Sequence, residues 1–516
     1  MLGHEFHTHS PQESRREPTP PPAWDQAIVL SNRGPISQER GADGSNRSRR
    51  SSGGVVTALE PLVQACSGTW VACGTEPVET RSTAVGGLDV RCAAPRYRLR
   101  HVCLSEAEYR GYYYGFANEG LWPLCHALRV QPVFRTSDYL AYRAANIRFA
   151  AAVTDEATCA APLLLVQDYH FALAPRELRR RLPLSTIVTF WHIPWPPLHV
   201  LRACPWVREL LEGLLGSDIA GFQTPADCAN FLKSVELILG ADVDHDSGTV
   251  VHRGQCMRVR AYPVGVEWNN EVVRATPPAH VCREHVRQEL ALPADVKLGV
   301  GVDRLDYTKG INEKFLAIER VLERDPALRG RIAFVQVAVP SRDCLPEYRS
   351  ARQQLVATAA RVNARFGTSA VQPIVLRESH HEPAEVYRLY RAADFCHVGS
   401  LRDGMNLVAK EFVCAREDER GVLILSQATG AALQLHEALL INPWAVESSS
   451  DAIAQALAMP EIEQMNRMRM LRRTVAGSDV GWWAHRLLAD ASNVYSSRND
   501  THRSQRPAAT SLSAAS

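Results

Sequence analysis

Two basic side chains follow an apolar segment and are placed to bind a phosphate. Arg304 and Lys309 stand five residues apart in segment 302–310, between an apolar run and a helical pattern. A helix N-terminus offers backbone N–H groups, and an arginine with a lysine neutralises negative charge, so this arrangement suits a diphosphate. Taken alone, the same residues could instead form surface ion pairs with Asp303 and Asp306.

Two carboxylates in segment 400–411 are candidates for binding sugar hydroxyls. Asp403 and Gly404 form a predicted turn after an apolar run, and Glu411 lies about two turns into the helix predicted to follow. A carboxylate at a strand end accepts hydrogen bonds from hydroxyl groups, and a second one can bind a ribose. The alternative is a capped helix on which Glu411 is solvated.

Polar residues also follow two other apolar runs. Asp168 comes two residues after one of them, and His192 comes two residues after the other. A lone histidine at a strand end is more often structural than catalytic, so this signal is weak by itself. Segment 242–248 resembles a calcium loop, but its glycine stands one place late and Arg253 takes the position of the closing glutamate. We interpret that segment as an acidic surface turn.

Short apolar runs alternate with longer helical patterns from residue 27 onwards. The runs are 27–31, 163–166, 186–190, 219–222, 298–302, 332–338, 374–376, 395–398 and 422–425. Helical periodicity covers, among others, residues 313–323 and 350–366. This alternation predicts an α/β fold with parallel sheets covered by helices on both faces. Because ligands bind beyond the carboxyl ends of such strands, the polar residues above are at the expected positions.

Bulk composition restricts the class of protein. A length of 516 residues predicts two domains, with a boundary near residues 262–266. A net charge of +2 argues against a nucleic-acid or membrane-surface partner, which normally requires a basic excess. The 13 cysteines are scattered without a CxxC pair, which argues against a disulfide scaffold or a zinc site and favours a reducing, cytoplasmic compartment. No apolar run approaches the ~20 residues of a membrane span.

Three segments fall outside the strand–helix alternation. Residues 1–24 and 496–516 are rich in proline, serine and charge, and we predict that both are disordered tails. Residues 36–52 are basic and are followed by Gly53 and Gly54, which predicts a mobile surface loop. Whether this loop is a lid over a phosphorylated ligand or only a solvated connection stays open.

Together these motifs resemble those of the trehalose-6-phosphate synthases, which are retaining glycosyltransferases of the GT-B type. The resemblance runs from about residue 28 to about residue 483, and its longest motif is highly specific. The matching segments are 31–35, 53–54, 113 to 121–123, 168–170, 192–194, 221–224, 304–310, 340–342 and 401–411.

The resemblance implies a particular domain organisation. Two Rossmann-like, doubly wound parallel-sheet domains would face a central cleft. Residues 25–264 would form the acceptor domain and 265–475 the nucleotide-sugar domain. A helix in 476–495 would pack back on the N-terminal domain.

The resemblance also implies an activity and the residues for it. The family transfers glucose from UDP-glucose to glucose 6-phosphate, without a cofactor or an essential metal, and a homo-oligomer is possible. The implied donor-binding residues are Gly53, Gly54, Arg304, Lys309, Asp403, Asn406, Leu407, Val408 and Glu411. The implied acceptor-binding residues are Arg33, Tyr113, Trp122, Asp168 and Arg342. Catalysis would fall to His192, Arg304, Lys309 and Asp403.

Several positions depart from the family pattern and leave alternatives open. Gln167 stands where a histidine is common, a second tryptophan is replaced in segment 70–73, and segment 191–197 has a form also met in glucosylglycerol-phosphate synthases. An enzyme of that kind, using ADP-glucose and glycerol 3-phosphate, is therefore an alternative. A non-catalytic regulator that binds sugar phosphates is a further one, although such a protein would be expected to lose the charged residues that this chain retains.

Overall fold

The computed structural model describes residues 24–40, 46–50, 54–66, 68–74, 88–89 and 97–504, and its strands form two large sheets and one hairpin. The first large sheet and the hairpin contain β1 Ala27–Ser31, β2 Ile36–Arg40, β3 Asn46–Arg50, β4 Thr69–Gly74, β5 Leu88–Asp89, β6 Arg98–Cys103, β7 Leu163–Gln167, β8 Thr186–Phe190, β9 Ile219–Phe222, β10 Asp242–Asp244, β11 Thr249–His252 and β12 Gln255–Ala261. The second large sheet contains β13 Lys297–Arg304, β14 Ile332–Val339, β15 Ile374–Arg377, β16 Phe395–Val398, β17 Val422–Ser426 and β18 Leu439–Ile441.

Helices separate most of these strands. They are α1 Gly54–Ala65, α2 Glu106–Tyr109, α3 Trp122–His126, α4 Thr136–Glu156, α5 Ala174–Arg181, α6 Leu198–Leu201, α7 Val207–Leu214, α8 Pro225–Leu239, α9 Glu271–Ala275, α10 Ala279–Glu289, α11 Ile311–Arg324, α12 Pro346–Phe366, α13 Pro383–Ala392, α14 Leu407–Ala415, α15 Val446–Ala458, α16 Glu461–Gly477 and α17 Val480–Ser504. A π-helical segment, Arg110–Leu121, joins α2 to α3.

The first sheet has the strand order β10-β11-β12-β9-β8-β7-β1-β4-β6-β5, and the strands from β12 to β6 are parallel. From β1 the chain adds β4 and β6 on one side, then returns to add β7, β8, β9 and β12 on the other. The winding direction therefore changes between β1 and β7. We call the part built on this sheet the N-terminal half.

The second sheet is parallel throughout, with the order β15-β14-β13-β16-β17-β18. Here the winding direction changes between β13 and β16. We call this part the C-terminal half. The predicted α/β fold with two doubly wound sheets is confirmed. Every apolar run of the sequence is a strand here, and all of them except the edge strand β15 are buried along most of their length.

The chain crosses between the halves twice, and the two crossings touch. The first crossing follows β12, and the second leads from α16 into α17. Val480 donates its backbone N–H to the carbonyl of Val266 at 3.0 Å. A Cβ added to Gly265 would lie 2.4 Å from the carbonyl oxygen of Ser478, so only glycine allows this approach.

After the second crossing, α17 packs against the N-terminal half. Trp483 is fully buried, and its ring lies 5.2 Å from that of Phe190 on β8. The Tyr262 hydroxyl donates to Asp490 at 2.6 Å. The first turns of α17 are thus fixed to a half whose sheet ended more than two hundred residues earlier in the chain.

Two predictions about segments outside the strand–helix alternation need correction. Residues 496–504 were expected in a disordered tail, but they continue α17, where Arg498 forms an ion pair with Asp218. Segment 36–52 was expected as a loop, but β2 and β3 pair in it as an antiparallel hairpin. Its polar sequence has no hydrophobic alternation from which a strand could be predicted. Residues 1–23 and 505–516, for which tails were predicted, lie outside the described residues, as do 51–53.

Across the part of the chain that the structure describes, no helix combines the length and the apolar character needed to cross a bilayer.

Candidate active site

The two points at which the winding direction changes place polar residues around one cleft. In the N-terminal half, segment 32–35 follows β1 and Asp168 follows β7. In the C-terminal half, Arg304 ends β13 and Asp403 lies beyond β16. Ligands of doubly wound sheets bind at such positions because the loops there diverge and leave a crevice.

Two residues at the end of β7 hold His192. Asp168 Oδ1 accepts the backbone N–H of Tyr169 at 3.0 Å and that of His192 at 3.1 Å. Gln167 Oε1 lies 3.0 Å from Nε2 of the His192 ring. The backbone of Asp168 adopts a φ of 74°, which costs free energy for a residue with a side chain. These contacts fix both the main chain and the ring of His192.

Burial sets the charge of both side chains. It raises the pKa of Asp168 to about 6, although two backbone hydrogen bonds and the nearby Arg342 and Arg304 act in the opposite direction. Burial also lowers the pKa of His192 to about 3. Near neutral pH the site therefore contains an ionised carboxylate beside a neutral imidazole.

Asp403 forms the centre of a polar cluster in the C-terminal half. Its Oδ2 lies 2.5 Å from Lys309 Nζ and accepts from Asn406 Nδ2 at 3.1 Å and from Ser400 Oγ at 3.4 Å. Burial acts to raise the pKa of Asp403, but the charge and hydrogen bond of Lys309 outweigh it and the pKa is lowered. The carboxylate therefore stays ionised and orients the ammonium group.

The N-terminus of α14 lies next to this cluster. Asn406 caps the helix, because its Oδ1 accepts the backbone N–H of Ala409 at 3.1 Å, and it has a φ of 81°. Leu407 and Val408 are the first residues of α14. N–H groups in the first turn have no acceptor inside a helix, and they bind anions well. One turn further on, Glu411 accepts from the Tyr390 hydroxyl at 3.2 Å, and burial raises the pKa of Glu411.

The indole ring of Trp122 lies where the two halves meet. The guanidinium carbons of Arg304 and Arg342 lie 5.5 and 4.4 Å from its centroid. The His126 ring, on the same helix as Trp122, lies 4.2 Å away. Both arginines belong to the C-terminal half and Trp122 to the N-terminal half, so cation–π contacts join the halves here.

Arg342 is held in a buried network, with its side chain 5% exposed. It donates to the hydroxyls of Tyr348 at 2.5 Å and Tyr169 at 3.2 Å, and it lies 3.5 Å from Asp306 Oδ2. Its φ of 54° is left-handed, which a non-glycine residue rarely adopts. Since Tyr169 belongs to the N-terminal half, Arg342 is a second link between the halves.

Tyr113 lies among several positive charges. Its ring stacks on His170, with centroids 5.7 Å apart and planes at 8°. Burial acts to raise the pKa of Tyr113, but the charges of Arg342, Arg33 and Arg304 lower it below the ordinary tyrosine value. The guanidinium carbon of Arg342 lies 6.0 Å from the centroid of the Tyr113 ring.

The segment that contains Gly53 and Gly54 is only partly described. Gly54 begins α1, whereas Gly53 lies outside the described residues. Arg33 follows β1 and is exposed.

Three residues of this cleft were not predicted from the sequence: His126, Tyr169 and Asp306. His126 Nδ1 lies 2.8 Å from the carbonyl oxygen of Trp122, and burial lowers the pKa of His126 to about 4. The spacing of Trp122 and His126, four residues apart on a helix, was the available signal. Tyr169 lay in the matching segment 168–170 but was assigned no role, and Asp306 was considered only as a surface partner of the nearby cations.

No group of three or more histidine, cysteine, aspartate or glutamate side chains suited to a metal ion occurs among the residues that the structure describes.

Two doubly wound sheets on either side of a cleft that gathers cationic side chains define the GT-B class of glycosyltransferases. The model of Glycosyltransferase family 20 matches residues 25–493, and the chain belongs to this family.

Known proteins of this kind cover most of the chain. A trehalose-6-phosphate synthase of Mycobacterium sp. (strain KMS) is 38% identical over 473 residues, which are 89% of this chain and 94% of the relative. A bifunctional trehalose-6-phosphate synthase/phosphatase of Thermoproteus tenax is 36% identical over 490 residues, which are 93% of this chain. The chain spans only 65% of that longer protein. The crystal structure of a UDP-forming alpha,alpha-trehalose-phosphate synthase from Burkholderia xenovorans in complex with glucose-6-phosphate matches with a TM-score of 0.80 and 30% identity, over 90% of this chain and 100% of the other.

Proposed function

We propose that this glycosyltransferase transfers glucose from UDP-glucose to glucose 6-phosphate with retention, and releases trehalose 6-phosphate and UDP. The observation that carries the proposal is the pair of guanidinium groups of Arg304 and Arg342, which lie 5.5 and 4.4 Å from the Trp122 ring where the halves meet, together with the Lys309 ammonium group 2.5 Å from Asp403. One phosphate monoester and one diphosphate require such a concentration of positive charge in a shared cleft. The names of the relatives support the same pair of substrates.

The C-terminal half carries the groups for the donor. Arg304 and Lys309 bind the diphosphate together with the first amides of α14, at Leu407 and Val408. Asp403 accepts hydrogen bonds from glucose hydroxyls, and Glu411 accepts them from the ribose. As the bond to the diphosphate breaks, negative charge grows on the leaving oxygen, and cations already held in place stabilise that charge without reorganisation.

The acceptor lies against the N-terminal half. Arg33 and Arg342 bind the 6-phosphate, Tyr113 adds a hydroxyl donor, and Asp168 accepts from the sugar ring. The indole of Trp122 packs against the acceptor hexose. Because Arg342 comes from the C-terminal half, the acceptor site is complete only while the halves are together.

Retention follows from attack on the same face that the diphosphate leaves. The bond from C1 of glucose to the phosphate oxygen breaks, and a bond from C1 to the acceptor oxygen forms. The proton of the acceptor hydroxyl passes to the leaving phosphate oxygen. Positive charge grows on the glucose ring meanwhile, and a neutral His192 stabilises it, whereas an imidazolium would oppose it.

No metal or organic cofactor is needed in this proposal, because Arg304 and Lys309 supply the positive charge. Turnover is therefore expected to be unchanged in excess EDTA, and a loss that Mg²⁺ restores would contradict this part. The scattered cysteines favour a reducing, cytoplasmic compartment for the reaction.

The direct test pairs two donors with two acceptors. Purified protein is given UDP-glucose or ADP-glucose with glucose 6-phosphate or glycerol 3-phosphate, and nucleotide release is measured. We expect release only, or by far the fastest, with UDP-glucose and glucose 6-phosphate, and an α,α-linked product by NMR. Release with glycerol 3-phosphate but not glucose 6-phosphate would establish the alternative enzyme. Binding of UDP without turnover of any pair would indicate the non-catalytic protein.

A variant pair tests the donor assignment. Arg304→Ala is expected to fold normally and to lose about a hundredfold in turnover, since each charged hydrogen bond contributes about 1.5–3 kcal/mol. Arg324→Ala is the control, because Arg324 is 48% exposed on the same half and forms a surface ion pair with Asp451. Near-normal turnover in Arg304→Ala would refute the donor site.

A further inference from the structure

Lys410 is a buried charge that the proposed chemistry does not use. It precedes Glu411 on α14 but its side chain is 1% exposed and contacts the first crossing between the halves. The ammonium donates to the carbonyl oxygen of Val264 at 2.7 Å. Lys410 therefore joins α14 to a backbone segment outside the C-terminal sheet.

The peptide units around Val264 are held from both halves. The N–H of Val264 donates to Gln223 Oε1 at 3.1 Å, and Gln223 follows β9 in the N-terminal half. The carbonyl of Val264 accepts from Lys410 in the C-terminal half. The next residue, Gly265, packs directly on the second crossing. A displacement of α14 would therefore act on the segment that connects the halves through the Lys410 ammonium group, beside the longer contact from Cys414 Sγ to the carbonyl oxygen of Glu267 at 3.9 Å.

Burying a lysine side chain at position 410 costs free energy. Burial lowers the pKa of Lys410 to about 7, which reflects the cost of removing an ammonium group from water. A methionine would fill the same volume without that cost. The lysine differs from methionine in one useful property, a strong directional hydrogen bond to a backbone carbonyl.

We propose that Lys410 is a positioning residue, which transmits occupancy of the donor-phosphate site at the N-terminus of α14 to the crossing segment at Val264. This inference rests on the proposed function, because it takes α14 as the helix that binds the donor diphosphate. Leu407, Val408 and Lys410 share one short helix, so a ligand that draws the helix N-terminus toward itself also moves the ammonium group. The orientation of the halves then depends on the donor.

The test measures binding rather than turnover. UDP is titrated calorimetrically into the wild-type chain, Lys410→Met and the control Lys297→Met. Lys297 lies on the same half, is 49% exposed and forms an ion pair with Asp394 at 3.7 Å. Amide hydrogen exchange is measured with and without UDP. In the wild type and in Lys297→Met, UDP is expected to slow exchange both at residues 407–409 and at 262–267.

In Lys410→Met, we expect UDP to bind about tenfold more weakly, which is within the usual range of coupling between two linked sites. Saturating UDP should still slow amide exchange at residues 407–409 of this variant. It should no longer slow amide exchange at residues 262–267. Protection at 262–267 equal to the wild type would overturn the inference, since a merely structural lysine would leave that response intact.

A second variant covers the case in which Lys410→Met does not fold. Gln223→Met removes the acceptor for Val264 from the N-terminal half and leaves α14 unchanged. We expect UDP affinity to fall severalfold in this variant as well, whereas unchanged affinity would overturn the inference. If the wild type binds UDP but transfers no glucose, the proposed function fails, and the exchange data still decide the role of Lys410.

Discussion

Replacing Gly404 with alanine should separate the two halves of the active site without disturbing either one. A Cβ at this position would lie 2.2 Å from the carbonyl oxygen of His192 and 3.3 Å from Cα of Ile193, both in the opposite half. An ordinary contact requires the two backbones to move apart by about 1 Å. A misplacement of about 1 Å between reacting groups can cost about a hundredfold in rate. We therefore expect kcat/KM to fall about a hundredfold in Gly404→Ala.

The assay must distinguish separation of the halves from unfolding. Gly477→Ala is the matched control, because a Cβ there has no heavy atom within 4 Å among the described residues. Nucleotide release gives kcat/KM, calorimetry gives the affinity for UDP, and thermal unfolding gives Tm. UDP affinity should fall severalfold at most, far less than kcat/KM, since the C-terminal half retains its phosphate contacts and loses only the coupling to the other half. Turnover by Gly404→Ala at the rate of Gly477→Ala would refute the close approach of His192 and Gly404.

Two further predictions concern Asp168 and Trp483. The pKa of Asp168 is raised to about 6, so kcat/KM for the acceptor should decrease as pH falls through about 6, and a rate that is flat down to pH 5 would contradict this. Because that pKa is higher folded than unfolded, ionisation of Asp168 destabilises the fold above pH 6. Asp168→Asn, which we expect to be inactive, should thus have a Tm a few degrees above the wild type at pH 8 but an equal Tm below pH 4, measured by calorimetry. Trp483→Ala should reduce the free energy of unfolding by about 3–5 kcal/mol in denaturant titrations, since a fully buried indole is removed, and a loss below about 1 kcal/mol would contradict the packing of α17 on β8.

The sequence predicted well those features that depend on a single strand and the turn after it. Arg304, Asp168 and Asp403 each follow a buried apolar run, and parallel strands place such residues at a common edge. Family-specific motifs then added Arg33 and Arg342, which no periodicity would have selected.

Contacts between the halves could not be predicted from sequence patterns. The approach of Gly404 to His192 and the bond from Lys410 to Val264 depend on how two separate sheets are placed relative to each other. Local propensity contains no information on that placement. Hairpin β2–β3 was missed for another reason, since its polar sequence lacks the alternation by which strands are recognised.

The return of α17 to the first sheet affects how the protein is made. Trp24 near the beginning of the chain contacts the ring of Tyr495, with centroids 5.7 Å apart, and Arg498 pairs with Asp218. A nascent chain emerging from the ribosome has completed every strand of the N-terminal half long before it can supply these partners. Until then, the apolar side chains that α17 covers remain open to water and to neighbouring nascent chains. A fragment ending at residue 264 would keep that surface exposed permanently, so independent expression of the N-terminal half should favour aggregation unless α17 is supplied in trans.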